Sequence, residues 1–130
     1  MLRVLLFLPL LLAACPKDES ISTYADPGAV YHLVEIGGEA FAAGATIAFS
    51  EPGAVTGDGP CNSYTARQSV PYPWIRIEDI VATRRACPEL ATEAAFFAAL
   101  QSMTLAEASG PVLILSNDDG VEMVFRAAQD

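Results

Sequence analysis

One stretch constrains this chain more than any other: Gly57, Asp58, Gly59, Pro60, Cys61, Asn62, Ser63 and Tyr64 in succession. Two glycines and a proline within four residues force the backbone to turn sharply. Asn62 is suited to hydrogen-bonding neighbouring backbone amides and so to holding that turn. Cys87 lies downstream and immediately precedes the only strongly helical segment. A bond between Cys61 and Cys87 would tie the turn to the start of that helix.

Residues 1–14 read as an address rather than as fold. Arg3 supplies a short positive start, Val4 to Leu12 are apolar apart from Pro9, and Ala13 and Ala14 are small. That is the layout of a secretory signal peptide, and the run is shorter than the roughly 20 residues a membrane-spanning helix needs. Leu12-Ala13-Ala14-Cys15 resembles the lipobox of bacterial lipoproteins. The resemblance implies cleavage before Cys15 and acylation of that cysteine; the alternative is a plain signal peptide that ends beside a cysteine. Residues 15–27 then form a lipidated N-terminus and short polar tether, and residues 28–130 the domain. Pro16 stands where the family's inner-membrane retention signal has Asp, so the resemblance implies an outer-membrane anchor with the domain facing the periplasm.

Without Arg3 the chain keeps six basic residues against sixteen acidic ones. This balance argues against nucleic acid, whose binding depends on cations at phosphates. With Cys15 acylated, Cys61 and Cys87 remain, and in an oxidising compartment such a pair forms a disulfide. A metal site is the rival, but it needs more ligands than two cysteines, and His32 is the only histidine. No cofactor is expected.

The alternation of Tyr31 and Leu33 with Val30, His32 and Val34 predicts a first strand over Ala29–Ile36. Ala45–Ser50, with Ala45, Ile47 and Phe49 inward, predicts a second, forming a hairpin with Ala54–Thr56. Further strands are expected from Cys61 to Arg67, Trp74 to Ile80, Met103 to Ala108, Val112 to Ser116 and Val121 to Arg126. Asn117–Gly120 is a hairpin turn. Pro88 suits a helix start, Glu89 and Glu93 suit its positive end, and Leu90, Ala94, Phe97 and Leu100 predict its buried face. The expected fold is mainly β: a small curled antiparallel or mixed sheet, or a barrel-like domain, with one covering helix.

The chain resembles the META domain, also called HslJ-like. The resemblance rests on Phe49, Gly53, Val55, Gly57, Gly59 and Cys61-Asn62-Ser63-Tyr64, then Ile75, Ile80, Thr83 and Ala86-Cys87. It continues through Glu93, Phe97 and Leu100 to Leu113, Leu115 and Phe125. Pro60 replaces the usual glycine before the cysteine, and Tyr31 stands where tryptophan is common. The family implies a barrel-like sheet with a helix over one opening, and a link to heat shock and novobiocin tolerance. It implies no catalytic residues.

No catalytic set is readable in the sequence. His32 has no acid or nucleophile beside it, no nucleophile elbow surrounds Ser63, and the adjacent Glu78 and Asp79 would point to opposite faces of a strand. An envelope hydrolase is a remote alternative. The expectation is a non-enzymatic, stress-related domain whose surface around Tyr64, Arg67 and Trp74 contacts an envelope protein, glycan or lipid. Its rival is a purely structural role without a defined ligand. Gly57, Gly59, Asn62 and Tyr64 form a turn and core motif, and the plainer alternative for the aromatics is that Tyr64 is a core residue and Trp74 ordinary packing at the barrel end.

Overall fold

Period-two burial builds a six-stranded antiparallel sheet in the computed structural model, which describes residues 17–128. The signal segment and Cys15 lie outside the described residues. The strands are β1 (Tyr31–Ile36), β2 (Glu39–Ala40), β3 (Thr46–Ile47), β7 (Leu105–Ser109), β8 (Val112–Ser116) and β9 (Glu122–Ala127). Tyr31, Leu33, Leu113, Leu115, Met123 and Phe125 turn inward and are buried. Cross-strand pairs such as Leu33 with Phe125 and Leu113 with Phe125 put these side chains in register. The order β2-β1-β9-β8-β7, with β3 also on β1, places the last strand in the middle.

A second, three-stranded sheet contains β4 (Ala54–Asp58), β5 (Ser63–Arg67) and β6 (Glu78–Ala82). Val55, Tyr64 and Ala66 face the core. The expected hairpin of Ala45–Ser50 with Ala54–Thr56 is reduced to a single bridge, Ala48 to Thr56. β3 pairs with β1 instead, and β4 with β5. Another single bridge, Trp74 to Leu105, joins the chain after β5 to the edge of the large sheet. The sheets curl around one core without closing into a barrel. The expected strand from Trp74 is largely irregular, although Ile75 and Ile77 are buried and the intervening Arg76 is exposed.

Helix α2 (Leu90–Ser102) covers the core. Its buried face is Glu93, Phe96 and Leu100, continued by Met103. The expected face is therefore rotated: Leu90 and Ala94 are exposed and Phe97 is half-buried. Substituting a carboxylate for an apolar residue at the inner position shifts the stripe, and that carboxylate has a specific use, described below.

The expected polar tether differs most. Residues 20–25 pack onto the domain through a short helix, α1 (Ile21–Tyr24), with Ser20, Ile21 and Ala25 buried. Ile21 enters the same core as Phe96 and Phe125. The Glu19 carbonyl accepts the Tyr72 amide at 2.8 Å, and the Tyr31 hydroxyl accepts the Asp26 amide at 2.9 Å. A single isoleucine among polar residues is too weak a periodic signal to mark such a segment, yet burying one side chain of this size contributes about 1.5–3 kcal/mol. Ile21→Ala should lower urea-unfolding stability by about 2–5 kcal/mol. A free tether would leave the midpoint unchanged.

Candidate functional site

The turn after β4 is held by its own backbone and by a side chain from α2. Gly59 donates its amide to the Asn62 carbonyl at 2.7 Å, closing the turn on itself. Glu93, one turn into α2, then reaches it. Its Oε2 accepts the amides of Cys61 and Asn62, each at 2.7 Å, and its Oε1 accepts Asn62 Nδ2 at 2.7 Å. Asn62 turns the other way as well: Oδ1 accepts Thr83 Oγ1 at 2.9 Å and the Arg85 amide at 2.6 Å, while Nδ2 also donates to the Arg85 carbonyl at 3.3 Å. The buried Asn62 thus joins the turn, the segment before Cys87 and the helix.

The glycines of the motif are explained by approach. A Cβ on Gly59 would stand 2.7 Å from Glu93 Oε2, and one on Gly57 would stand 2.1 Å from the Thr46 carbonyl and 2.8 Å from the Tyr64 ring. Any larger residue displaces either the carboxylate or the backbone of β3.

Cys61 and Cys87 are joined by a disulfide, with Cα atoms 5.9 Å apart. Cys61, Cys87 and Glu89 bring ligand-type atoms within 4.8 Å of one another, but the two sulfurs are bonded to each other and offer no thiolate pair.

The binding surface expected at Tyr64, Arg67 and Trp74 is not formed. Tyr64 is only 3% exposed. Its hydroxyl donates to the Thr46 carbonyl at 2.7 Å, and its ring packs edge-on against Phe96 and Phe97 at 5.8 and 5.3 Å. Burial, assisted by the Asp58 charge, pushes its pKa far above the usual tyrosine range. Alternation in β5 decides this: Tyr64 and Ala66 point inward, Ser63, Thr65 and Arg67 outward. Arg67 is exposed on the small sheet, where its Nε donates to Asp79 Oδ2 at 2.9 Å. Asp79 has φ +55°, a left-handed conformation that Asp tolerates better than most residues. Such a surface pair adds little stability.

Trp74 is 58% exposed. It borders an open cleft of about 450 Å³ whose wall includes Pro71, Arg76, Thr104 and Asp118. Beside it, Tyr72 stacks on Tyr24 with ring centroids 4.3 Å apart, and Tyr24 is 54% exposed. Tyr72, Pro73 and Leu105 share an adjoining depression. Sequence reasoning missed Tyr24, Arg76 and Leu105, which come from separate segments. It also missed the role of Glu93, whose sequence signal is its spacing of three and seven residues before Phe96 and Leu100.

Burial alone would raise the Glu93 pKa, but the side-chain bond from Asn62 and the amides of Cys61 and Asn62 outweigh it and hold the carboxyl below 4.5. The unfolded chain then binds the proton more readily. Glu93's contribution is full above the unfolded value and is lost as pH falls through the folded one. Asp18, held near 2 by hydrogen bonds led by those from Ser20 and Ser22, acts in the same direction. Glu93→Gln should cost about 1–3 kcal/mol at neutral pH and flatten the loss of stability below pH 4.5. Chemical unfolding of both proteins across that range measures the difference, and equal slopes would exclude this role.

The META domain model matches residues 26–130. A protein from Burkholderia xenovorans solved by NMR is 20% identical with a TM-score of 0.66, covering 97% of this chain and 100% of its own. A DUF4847 family protein from Bacteroides vulgatus ATCC 8482, solved by crystallography, is 15% identical with a TM-score of 0.63, covering 78% of this chain and 94% of its own. At these identities the likeness concerns the fold. No curated protein matches.

Proposed function

The chain belongs to the META-domain family, and on that premise we propose that it is a lipid-anchored, non-enzymatic domain of the bacterial cell envelope, acting by contact with an envelope component. The observation that carries the reading is the Cys61–Cys87 bond. Disulfides persist in oxidising compartments such as the periplasm. This agrees with an export signal over residues 1–14, cut before Cys15, and with the outer-membrane anchoring implied by Pro16. A stress-related role follows the family.

The use of the polar groups favours contact over catalysis. His32 is exposed on β1, opposite Thr46 and Arg126. Ser63 is exposed in β5, in the other sheet from His32. Glu93 and Asn62 are engaged with backbone and with each other. The contact surface moves from Tyr64 and Arg67 to the exposed Trp74 cleft. No described helix is long and apolar enough to cross a membrane, so the anchor in this reading is the lipid at Cys15.

Protein purified from the envelope of a bacterial host should begin at Cys15 and carry acyl mass. Cys15→Ser should release it from the membrane fraction into the soluble one. A mature N-terminus elsewhere, or unmodified Cys15, would falsify the anchor. Replacing Cys61 and Cys87 together by serine should cost about 2–5 kcal/mol under oxidising conditions. Free-thiol labelling of both cysteines in envelope-derived wild type would remove the redox argument for export.

A further inference from the structure

We propose that the face formed by Tyr24, Tyr72, Trp74 and Leu105 seats in the headgroup region of a zwitterionic phospholipid bilayer, the membrane that holds the acylated Cys15. The inference deepens the lipid-anchor reading and rests on it.

The four residues are contiguous. Tyr24 stacks on Tyr72, Tyr72 borders the same depression as Leu105, and Leu105 pairs with Trp74 across the bridge that joins the two parts of the fold. Tyr24, Trp74 and Leu105 are all exposed. Tyrosine and tryptophan carry an apolar ring with a polar edge, a chemistry suited to the boundary between hydrocarbon and water.

The length of the tether brings this face to the membrane. A free segment over residues 15–27 would let the domain turn in any direction. Instead Glu19 is fixed to Tyr72 by the bond to its amide, and Ile21 is in the core. Cys15 precedes Glu19 by four residues, a span of at most about 14 Å fully extended. The headgroup region on each side of the hydrocarbon is about 6 Å deep. An acyl chain buried at Cys15 therefore holds the Tyr72 side of the domain close to the lipid surface. The disulfide-bonded turn has no comparable covalent limit on its distance from the anchor.

Charge selects the lipid class. The chain carries a net charge of -9, which opposes an anionic surface. Arg76, held only loosely by Glu78 at 3.8 Å on the exposed surface, and Asp118 both line the cleft beside Trp74. A headgroup with a phosphate and an ammonium offers a partner to each; an anionic headgroup offers one only to Arg76.

Trp74 is the only tryptophan, so its fluorescence reports this face alone. The acylated protein should be reconstituted on the outside of phosphatidylcholine–phosphatidylethanolamine vesicles with brominated acyl chains, after mass analysis confirms the lipid. Seating shifts Trp74 emission to the blue relative to unacylated protein in buffer, quenches most of it by bromine and lowers its quenching by acrylamide. Leu105→Glu should restore water-like emission while the acyl chain still holds the protein on the vesicles, with circular dichroism showing that the variant is folded. A vesicle-bound wild type with water-like, unquenched Trp74 overturns the inference and leaves the face open to a protein or glycan. Absence of acyl mass at Cys15 overturns the anchor reading and this inference with it. The mass spectrum distinguishes the two failures.

Discussion

The Glu93 carboxylate accepts the amides of Cys61 and Asn62 and the side-chain amide of Asn62 from a position inside the domain. A carboxylate removed from water without partners would cost several kcal/mol. Here each oxygen faces a donor, and the donors are backbone and amide groups that would otherwise be unsatisfied in a sharp turn. The dependence is mutual. The turn leaves room for the carboxylate only because Gly59 has no side chain, and α2 can present Glu93 only because Phe96 and Leu100 anchor the same face in the core.

The disulfide and the hydrogen-bond knot close the same part of the chain by different means. Cys61–Cys87 restricts the unfolded chain over a separation of 26 residues. The bonds of Asn62 to Thr83 and Arg85 act in the folded state, fixing which side of the closed loop faces the helix. Because the two share the turn, their energies are not independent. Removing the sulfur link also lowers the effective concentration at which Glu93 meets the turn amides. A loss larger than the chain-entropy value alone would come from that coupling.

Most of the sheet was readable from alternation. Tyr31 and Leu33, Ala45, Ile47 and Phe49, and Ile75 and Ile77 all face inward as the period of two requires. The turns at Gly57–Gly59 and Asn117–Gly120 were marked by composition. Strand partners were less accessible, since alternation fixes the face of a residue but not its neighbour. β3 therefore joins β1 rather than forming a full hairpin with β4. The inner face of α2 is not legible because Glu93 reads as a residue suited to the positive end of the helix rather than as part of the apolar stripe, and the α1 segment is not legible because one buried Ile21 makes no period. Of the three surface candidates only Trp74 combines exposure with a cleft. Nearness in sequence brought Tyr64 and Arg67 into the group, but strand alternation puts them on opposite faces of β5.

The most distinctive stretch of the sequence is, for that reason, a poor place for a ligand. Asn62 has two donors and two acceptor positions on its side chain, and all are engaged by Glu93, Thr83 and Arg85. Glu93 Oε2 holds two amides, and the Tyr64 hydroxyl is turned to the Thr46 carbonyl within the core. A ligand there would have to break a satisfied buried bond for each one it made, a net loss in a low-dielectric setting. Around Trp74 the balance is reversed. The indole and Tyr24 are wetted, and the Thr104 hydroxyl in the cleft wall has no hydrogen-bond partner among the described residues. Covering that face gains apolar burial without dismantling the interactions that hold the fold. The knot supplies the rigidity, and the contact we propose falls to the aromatic face where the N-terminal segment joins the domain.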